Sequence, residues 1–309
     1  MTSHVVLGAG PIGSTTALIL AEQGEQVRLI TLNGGGPDHP GIERVQAEAS
    51  DPAVLTPLTA DASALYQCAG PPYHLWTTEF PPLIESAIRA AEASGAVLVS
   101  VGNLYGYGLV SGPMTEDLPA RPNSEKGRVR AGLWAEQLAA HQAGRIRTAE
   151  VRGSDYLGAR ASTPFTMMVL PALLRGRRAL VPADIDAPHS WTYTGDVART
   201  LIDVAADESS WGRPWHVPTP PPVSIRELAE MAATVAGTPK ARISPMPNTL
   251  LRAVGLFNVA ARQLPEMRYQ FDHPFVLDSS AAQKAFGRRP TSTTDALRET
   301  ISALQNNAQ

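Results

Sequence analysis

Lysine is scarce in this chain of 309 residues. Only three of its 26 basic residues are lysines, Lys126, Lys240 and Lys284, and arginine supplies the rest. Any reaction that depends on a lysine side chain therefore has three candidates. The basic residues face 29 acidic ones, for a formal net charge of −3 at pH 7. Without a basic surplus, nucleic acid and anionic membrane surfaces are not expected partners.

Cysteine and metal-binding patterns are also nearly missing. Cys68 is the single cysteine, which excludes an internal disulfide and a zinc site built from several cysteines. A reducing compartment fits this composition, and the cytoplasm is the expected location. The seven histidines show no HExxH or comparable ligand spacing, so no metal is expected. The GxSxG sequence of a hydrolase nucleophile is missing too.

Long hydrophobic runs do not occur. No stretch of about 18 apolar residues is free of glycine, proline and charge, so a membrane span is not expected. Gly8, Gly10, Pro11 and Gly13 interrupt the apolar N-terminus, which argues against a signal peptide. With 43% hydrophobic and 18% charged residues, the chain has the composition of a large globular core with a smaller second unit.

Short apolar runs alternate with amphipathic stretches over the first 150 residues. Val5–Leu7 and Val27–Ile30 are predicted strands, and Ile12–Glu22 between them is a predicted helix that Gly24 ends. Repeated alternation of this kind favours an α/β fold, a Rossmann-type doubly wound parallel sheet with both faces covered. The following elements are predicted to be strands at 64–68, 96–101 and 146–151, a helix entered through Pro81 and Pro82 and ended by Gly95, and a helix over 128–143.

The second half is more interrupted by prolines. Ser224 and Glu227 have the spacing of a capping box and predict a helix to Ala236, closed by Gly237. Further helices are predicted from 162–164 through Leu170, over 197–205, over 249–264 and over 295–304. Residues 1–160, with 186–210 returning to them, are interpreted as the dinucleotide-binding domain. The smaller C-terminal part, 161–185 and 211–309, is interpreted as mainly substrate-binding.

A glycine-rich turn follows the first strand and opens the first helix. In Gly8-Ala9-Gly10-Pro11-Ile12-Gly13, the first glycine permits a tight turn, the second lets the backbone approach a pyrophosphate, and the third permits close packing of the helix on the strand. Free N–H groups at the helix start favour an anion there. The turn therefore predicts a dinucleotide site, and Gly8, Gly10, Pro11, Ile12 and Gly13 are its first candidate residues.

The end of the second strand leaves the type of dinucleotide open. An acid there usually binds the adenosine ribose, whereas an arginine meets the 2′-phosphate of NADP. This chain has Thr31, Leu32 and Asn33 instead, which we expect near the ribose. Arg28 and Arg44 lie close in sequence, although each is also compatible with a solvated surface charge. The cofactor is therefore predicted as NAD or NADP.

Several segments together resemble the extended short-chain dehydrogenases/reductases of the NAD-dependent epimerase/dehydratase family. The resemblance covers nearly the whole chain and implies that Glu48 and Asp51 lie near the adenine. It also implies that Cys68, Ala69 and Gly70 lie beside the nicotinamide ribose. The remaining segments that carry it are Ser100-Val-Gly-Asn-Leu-Tyr105-Gly106, Thr115-Glu116-Asp117, Tyr193-Thr-Gly-Asp196-Val197 and Ser224 to Leu228.

The sequence departs from this family at the residues that transfer protons. The family uses a serine or threonine, a tyrosine, and a lysine four residues after the tyrosine, a spacing that puts the last two on one helix face. None of the seven tyrosines is followed by lysine at that distance. Aligning Glu136 with the family's helix puts Arg128 at the tyrosine position and Gly132 at the lysine position, and the serine position becomes Val101.

Other residues are candidates for the chemistry. Tyr105, Lys126 and Asp155 are the proposed catalytic residues. Each also has a structural interpretation, as a packed ring, a basic helix start and a turn aspartate, respectively. The candidate substrate-binding residues, which include a proline-aromatic loop after the strand at 64–68, are Tyr73, His74, Trp76, Asn103, Tyr107, Arg128 and Trp191.

Three functions remain open at this point. The first is an atypical dehydrogenase/reductase that acts on a small organic substrate, such as a secondary metabolite. The second is a non-redox isomerase, lyase or cyclase on the same fold, and the third is a non-catalytic dinucleotide-sensing regulator. The resemblance also implies a homodimer, formed through the predicted helices at 83–93 and 128–143.

Overall fold

The computed structural model of the chain describes residues 3–247 and 265–306. Eleven strands lie in these ranges. They are β1 (Ser3–Leu7), β2 (Gln26–Thr31), β3 (Ile42–Gln46), β4 (Ala62–Gln67), β5 (Val97–Asn103), β6 (Arg147–Gly153), β7 (Asp155–Leu157), β8 (Ala179–Val181), β9 (Trp191–Tyr193), β10 (Pro214–His216) and β11 (Ile243–Pro245).

Ten α-helices lie in the same ranges, and a π-helical turn at Phe165–Val169 leads into the fifth. They are α1 (Pro11–Glu22), α2 (Pro52–Leu58), α3 (Trp76–Ser94), α4 (Glu125–Gln142), α5 (Leu170–Leu174), α6 (Thr194–Ala206), α7 (Ile225–Ala236), α8 (Tyr269–Asp272), α9 (Ser280–Phe286) and α10 (Thr293–Asn306).

Seven strands form one parallel sheet in the order β10-β6-β5-β4-β1-β2-β3. The strand order reverses between β1 and β4, as in a doubly wound sheet, so the Rossmann-type prediction is confirmed. Successive residues of a strand point to opposite faces. Val5 and Leu7 join a core cluster with α3, whereas Val6 joins a cluster with α1 and α6. Helices on both faces explain why these strands are apolar on both sides.

A third apolar cluster lies in the smaller part of the molecule. It joins α5, α7 and α10 to the pairs β7–β9 and β8–β11, around side chains such as Phe165, Leu228 and Leu297. The predicted capping box is present: Ser224 accepts from the Glu227 amide, and Glu227 accepts from the Ser224 amide. Helix α6, which lies within the predicted 186–210, packs on the large sheet, and β10 joins its edge. The domain boundaries stay a prediction. The predicted helix over 249–264 lies outside the described residues.

Two helices begin earlier than predicted. Helix α3 begins at Trp76 and contains Pro81 and Pro82, because burial of Trp76 and Phe80 one turn apart outweighs two missing backbone hydrogen bonds. Helix α4 begins at Glu125, because the Ser124 hydroxyl accepts from the third amide of the helix at 3.0 Å. A strand over 155–157 replaces the predicted loop, and the sequence pattern missed both β3 and α2.

The groove between α3 and α4 is lined by charged residues, including Glu85, Arg89 and Glu136. Dimerisation through these helices stays a prediction. Among the described residues, no helix combines the length and apolar character needed to cross a membrane.

A buried histidine ties the edge of the large sheet to the rest of the molecule. His216 Nδ1 lies 2.8 Å from the Asp278 carbonyl oxygen, and Nε2 lies 2.8 Å from the Tyr107 hydroxyl. Arg152 donates to the same hydroxyl at 2.6 Å. Because a carbonyl only accepts, Nδ1 carries the proton and Nε2 accepts from Tyr107. Burial lowers the pKa of His216 to about 4.

We expect this histidine to make the fold acid-sensitive. The neutral ring is favoured in the folded state, so its contribution is complete above pH 6.5 and is lost as the pH falls from about 6.5 toward 4. The shift corresponds to about 3 kcal/mol. Urea unfolding between pH 7.5 and 4.5 measures it. His216→Gln, whose amide can donate to Asp278 and accept from Tyr107, should lose less stability over this window. Equal losses in both proteins would contradict the assignment.

Candidate functional site

The glycine turn between β1 and α1 forms an open cradle. Gly8 has φ +90°, and a Cβ there would lie 2.8 Å from Ala69 Cα. A Cβ on Gly13 would lie 2.0 Å from the Gly8 carbonyl oxygen, whereas a Cβ on Gly10 would meet nothing within 4 Å. No side chain caps the start of α1. The backbone amides therefore face open space at the positive end of a helix dipole, which fits a pyrophosphate.

The turn after β2 borders this cradle. Thr31 donates to the Gly35 carbonyl, the Asn33 side chain accepts from the Gly35 amide, and Leu32 is 69% exposed. Arg44 donates to the Gly36 carbonyl at 3.4 Å and lies 3.3 Å from an Asp38 carboxylate oxygen. Both charge signs are thus present beside the turn, and the choice between NAD and NADP stays open.

Three of the other residues predicted near the adenosine have local partners. Arg28 pairs with Glu43 at 2.9 Å and Asp61 at 3.2 Å, so its charge is already compensated. The exposed Glu48 carboxylate accepts from Ser50, and Asp51 caps α2.

The segment after β4 lies directly against the glycine turn. Ala69 supports Gly8, and Gly70 approaches the Phe80 ring. The Cys68 side chain faces α1, and burial raises the pKa of its thiol to about 12. Cys68 is therefore a packing residue of this wall in the thiol form, and Ala69 and Gly70 line the crevice where the order of the strands reverses.

Two tyrosines meet at the carboxyl ends of β4 and β5. The hydroxyls of Tyr73 and Tyr105 lie 2.6 Å apart, and the Trp76 ring stacks near both. The Tyr73 ring is 39% exposed, whereas Tyr105 is buried. Desolvation raises the pKa of Tyr73 to about 12 and the pKa of Tyr105 well above its usual value. Both phenols therefore stay protonated at neutral pH and act as hydrogen-bonding groups.

Helix α4 turns a different pair of residues to the sheet than the alignment predicts. Lys126 is 2% exposed, and Arg130 donates to the Val101 carbonyl at 2.9 Å. Arg128 and Gly132 are exposed, because two residues along a helix correspond to a rotation of about 200°. The i, i+4 pair on the inner face is thus Lys126 and Arg130.

Both inner cations have partners. Lys126 Nζ lies 3.1 Å from Glu266 Oε1 and 3.9 Å from Glu125 Oε2. The Arg130 guanidinium lies 4.6 Å from the centre of the Trp76 ring and 4.5 Å from that of Phe80. Arg130 thereby joins α3, α4 and the end of β5, and its charge is on the crevice side of the sheet.

Asp155 follows the end of β6 and contacts a histidine from the smaller part. Its Oδ2 lies 2.9 Å from His189 Nε2. His189 Nδ1 lies 3.0 Å from the Gln270 carbonyl oxygen. The carboxylate and the imidazole thus join the first residue of β7 to the segment that precedes β9.

The remaining substrate-site candidates lie in four different settings. Tyr107 is buried, and its hydroxyl is held by Arg152 and His216. Trp191 is buried and donates to the Val223 carbonyl. His74 is exposed at the start of α3, and the Asn103 side chain accepts from the Tyr105 amide. The structure therefore does not bring all the substrate-site candidates together.

Sequence reasoning missed Arg130 and Glu266 and gave His189 no role of its own. Arg130 carries a usable signal, since it lies four residues after Lys126. Glu266 and His189 carry none, because their partners are distant in sequence. Among the described residues, no group of His, Cys, Asp and Glu could hold a metal ion.

The chain matches no known protein family and no curated protein sequence. It does resemble solved structures over its full length. The enzyme WbmH of Bordetella bronchiseptica, solved with NAD+, is 19% identical at a TM-score of 0.78, with 100% of both chains covered. A dTDP-glucose 4,6-dehydratase of Bacillus anthracis, solved with NAD, is 18% identical at 0.80 and covers 99% of this chain and 97% of its own. A UDP-glucuronic acid 4-epimerase of Bacillus cereus, also with NAD, is 16% identical at 0.78, with 100% of both covered. The chain has the fold of these proteins.

The close approach at Gly13 predicts a contrast between two alanine substitutions. Gly13→Ala forces a Cβ into the Gly8 carbonyl and should lower the free energy of unfolding by about 3 kcal/mol. Gly10→Ala has open space around it and should cost less than about 1 kcal/mol, mainly through a poorer helix cap. Urea unfolding of the two variants compares them. Equal destabilisation would show that the turn is not packed as described.

Proposed function

We propose that this protein is an NAD(P)-binding enzyme of the extended short-chain dehydrogenase/reductase type, acting on a hydroxylated small molecule such as a nucleotide sugar. The observation that carries the proposal is the open cradle at Gly10, set between two glycines that admit no side chain. The full-length likeness to NAD-bound structures supports it. A further solved structure of similar fold, MoeE5 in complex with UDP-glucose and NAD, supports a nucleotide sugar as the substrate.

The cofactor would bind across the ends of β1 and β4. The amides at the start of α1 would hold the pyrophosphate, and the Thr31–Asn33 turn would lie beside the adenosine ribose. Ala69 and Gly70 would border the nicotinamide ribose. Once bound, such a cofactor supplies a reversible acceptor for a hydride.

The protein's own residues would orient the substrate and move its proton. Tyr73 and Tyr105 are hydrogen-bonding groups at the crevice, since the pKa of each phenol is raised. Lys126 lies on the inner face of α4, where the ammonium can stabilise negative charge on a substrate oxygen. Asp155 is the carboxylate at the end of β6. The tyrosine pair, Lys126 and Asp155 together offer an alternative to the family's serine, tyrosine and lysine.

A second candidate is a non-redox enzyme or a dinucleotide sensor on the same fold. The observation in its favour is that the family's phenolic base has no counterpart with a lowered pKa: burial raises the pKa of Tyr73, Tyr105 and Tyr156. A protein that binds dinucleotide without exchanging hydride with any nucleotide sugar would support this candidate.

Titration with dinucleotides tests the proposed cofactor site. We expect at least one of NAD+, NADH, NADP+ and NADPH to bind, with Kd measured by calorimetry. Gly10→Ala should raise that Kd at least tenfold, about 1.4 kcal/mol, because its methyl group occupies the space of the pyrophosphate. Gly132→Ala is a control on the exposed face of α4, at a site with open space and without a positive φ. Absence of binding for all four forms would contradict the proposal.

Two substitutions on α4 test the inner face. Lys126→Met should reduce nicotinamide reduction by UDP-glucose or dTDP-glucose at least tenfold, because the ammonium beside the crevice is removed. Arg128→Met, two residues on but exposed, should leave the rate within twofold. Both rates are measured by NAD(P)H absorbance with the cofactor Kd checked in parallel. Equal rates for the two variants would remove Lys126 from the reaction.

A further inference from the structure

His189 has an unusual setting for a histidine that meets a carboxylate. Its side chain is 2% exposed. The ring stacks against Phe271 and Phe275, at centroid distances of 4.7 and 5.4 Å and interplanar angles of 13° and 19°. Trp191 lies 4.8 Å away on a third side. The imidazole is therefore held in one orientation, with only its two nitrogens facing polar atoms.

The hydrogen bonds of His189 fix the number of its protons. A backbone carbonyl only accepts, so Nδ1 must donate to the Gln270 oxygen at 3.0 Å. The 2.9 Å contact between Nε2 and Asp155 Oδ2 then needs a second proton between the two atoms, because two lone pairs would repel. The pair therefore holds one proton more than a neutral imidazole beside an ionised carboxylate.

The surroundings of His189 favour this second proton on its Nε2 and not on the Asp155 carboxyl group. The negative faces of aromatic rings attract a cation stacked on them, and Phe271, Phe275 and Trp191 surround the imidazole. The carbonyl and the carboxylate accept from the two N–H groups. This geometry fits an imidazolium bonded to a carboxylate, a charge-assisted hydrogen bond.

Asp155 is the end of this pair that faces the crevice. It begins β7, two residues after β6 ends at the carboxyl edge of the large sheet, and its side chain keeps 10% of its surface exposed. Its charge is one cause of the raised pKa of four tyrosines that approach from different elements. They are Tyr73, Tyr105, Tyr156 and Tyr269. Arg130, whose charge acts in the opposite direction on Tyr73 and Tyr156, is the nearby cation of α4.

We propose that Asp155 is the acid/base residue of the crevice and that His189 is its positioning residue, the two replacing the family's tyrosine and lysine. The inference rests on the proposed function, since it assigns the proton step of that reaction. Asp155 touches the substrate oxygen. His189 acts through Asp155: its ring is fixed by the Gln270 carbonyl and the aromatic rings, and Nε2 holds the carboxylate in place.

The proton balance of the step is complete. In the oxidation of a secondary alcohol to a ketone, a bound dinucleotide would accept the hydrogen of the carbon with its two electrons, and Asp155 would accept the proton of the hydroxyl. The O–H bond of the substrate breaks and an O–H bond to Asp155 forms, while His189 keeps both of its protons. Reduction of the ketone runs the same transfers in reverse.

His216 provides a matched comparison within the same chain. Its Nδ1 also faces a backbone carbonyl, that of Asp278, but its Nε2 faces the Tyr107 hydroxyl. A hydroxyl can donate, so this ring needs no second proton and is neutral. The two buried histidines differ in the partner of Nε2, and only His189 has an acid there.

Nitrogen NMR of the ring tests the pair without a substrate. In ¹⁵N-histidine-labelled protein at pH 7.5, His189 should show two protonated nitrogens and His216 one, with each assigned through its Gln variant. Asp155→Asn should leave His189 with one protonated nitrogen, because the amide donates to Nε2. It should not change His216. A neutral His189 in the unsubstituted protein, or a spectrum that Asp155→Asn does not alter, would overturn the assignment.

Kinetics then test the role in proton transfer. With UDP-glucose, UDP-glucuronic acid and dTDP-glucose as probes, Asp155→Asn should lower kcat at least 100-fold and His189→Gln about tenfold for any sugar that reduces the cofactor. KM and cofactor Kd should stay within threefold. His216→Gln, the matched control, should leave kcat, KM and the cofactor Kd within threefold. An unchanged kcat in Asp155→Asn would overturn the proposal.

The two proposals fail in different ways. Loss of dinucleotide binding, or no reduction with any probe sugar, counts against the proposed function, and the NMR result still decides the state of the pair. Binding and turnover that survive Asp155→Asn count against the acid/base assignment alone. Circular dichroism and urea unfolding of both variants separate a lost proton path from a lost fold.

Discussion

The cradle at the start of α1 and the aromatic wall beside it depend on one backbone contact, the approach of Gly13 to the carbonyl of Gly8. A Cβ at Gly13 would lie 2.0 Å from that oxygen, so only glycine lets α1 begin so close to β1. This approach leaves the first amides of α1 open at the ends of β1 and β4. The same tight turn puts Ala69 beneath Gly8, which brings the segment after β4, with Tyr73 and Trp76, to the crevice. The space for a pyrophosphate and the aromatic wall of the crevice thus both depend on this one contact.

Compensation of buried charge is the second constraint. Lys126 meets Glu266, and His189 meets Asp155. Arg130 meets aromatic faces and a carbonyl. An isolated charge at these buried positions would destabilise the fold through lost hydration, and each partner offsets part of that desolvation free energy. Because Glu266 comes from the C-terminal half, its contact with Lys126 also fixes that half against α4.

Sequence patterns predicted the elements that depend on local chemistry. The glycine turn and the capping box at Ser224 each need only neighbouring residues, and both are present as predicted. The inner face of α4 was assigned to Arg128 and Gly132 because the helix was aligned on its distal end, and a displacement of two residues turns a helix by about 200°. The contact of Asp155 with His189 joins residues 34 positions apart in sequence, and no local pattern marks such a pair.

The inner face of α4 does not suit a phenolic base. Lys126→Tyr alone would put a phenol beside Glu266, and a neighbouring carboxylate raises the pKa of a phenol instead of lowering it. The lysine that lowers that pKa in the family would have to stand at Arg130, where the guanidinium stacks on Trp76 and Phe80. An ammonium lacks that planar surface. A carboxylate whose partner comes from outside α4, as in the pair of Asp155 and His189, therefore fits the proposed proton transfer better than a phenol on α4 does.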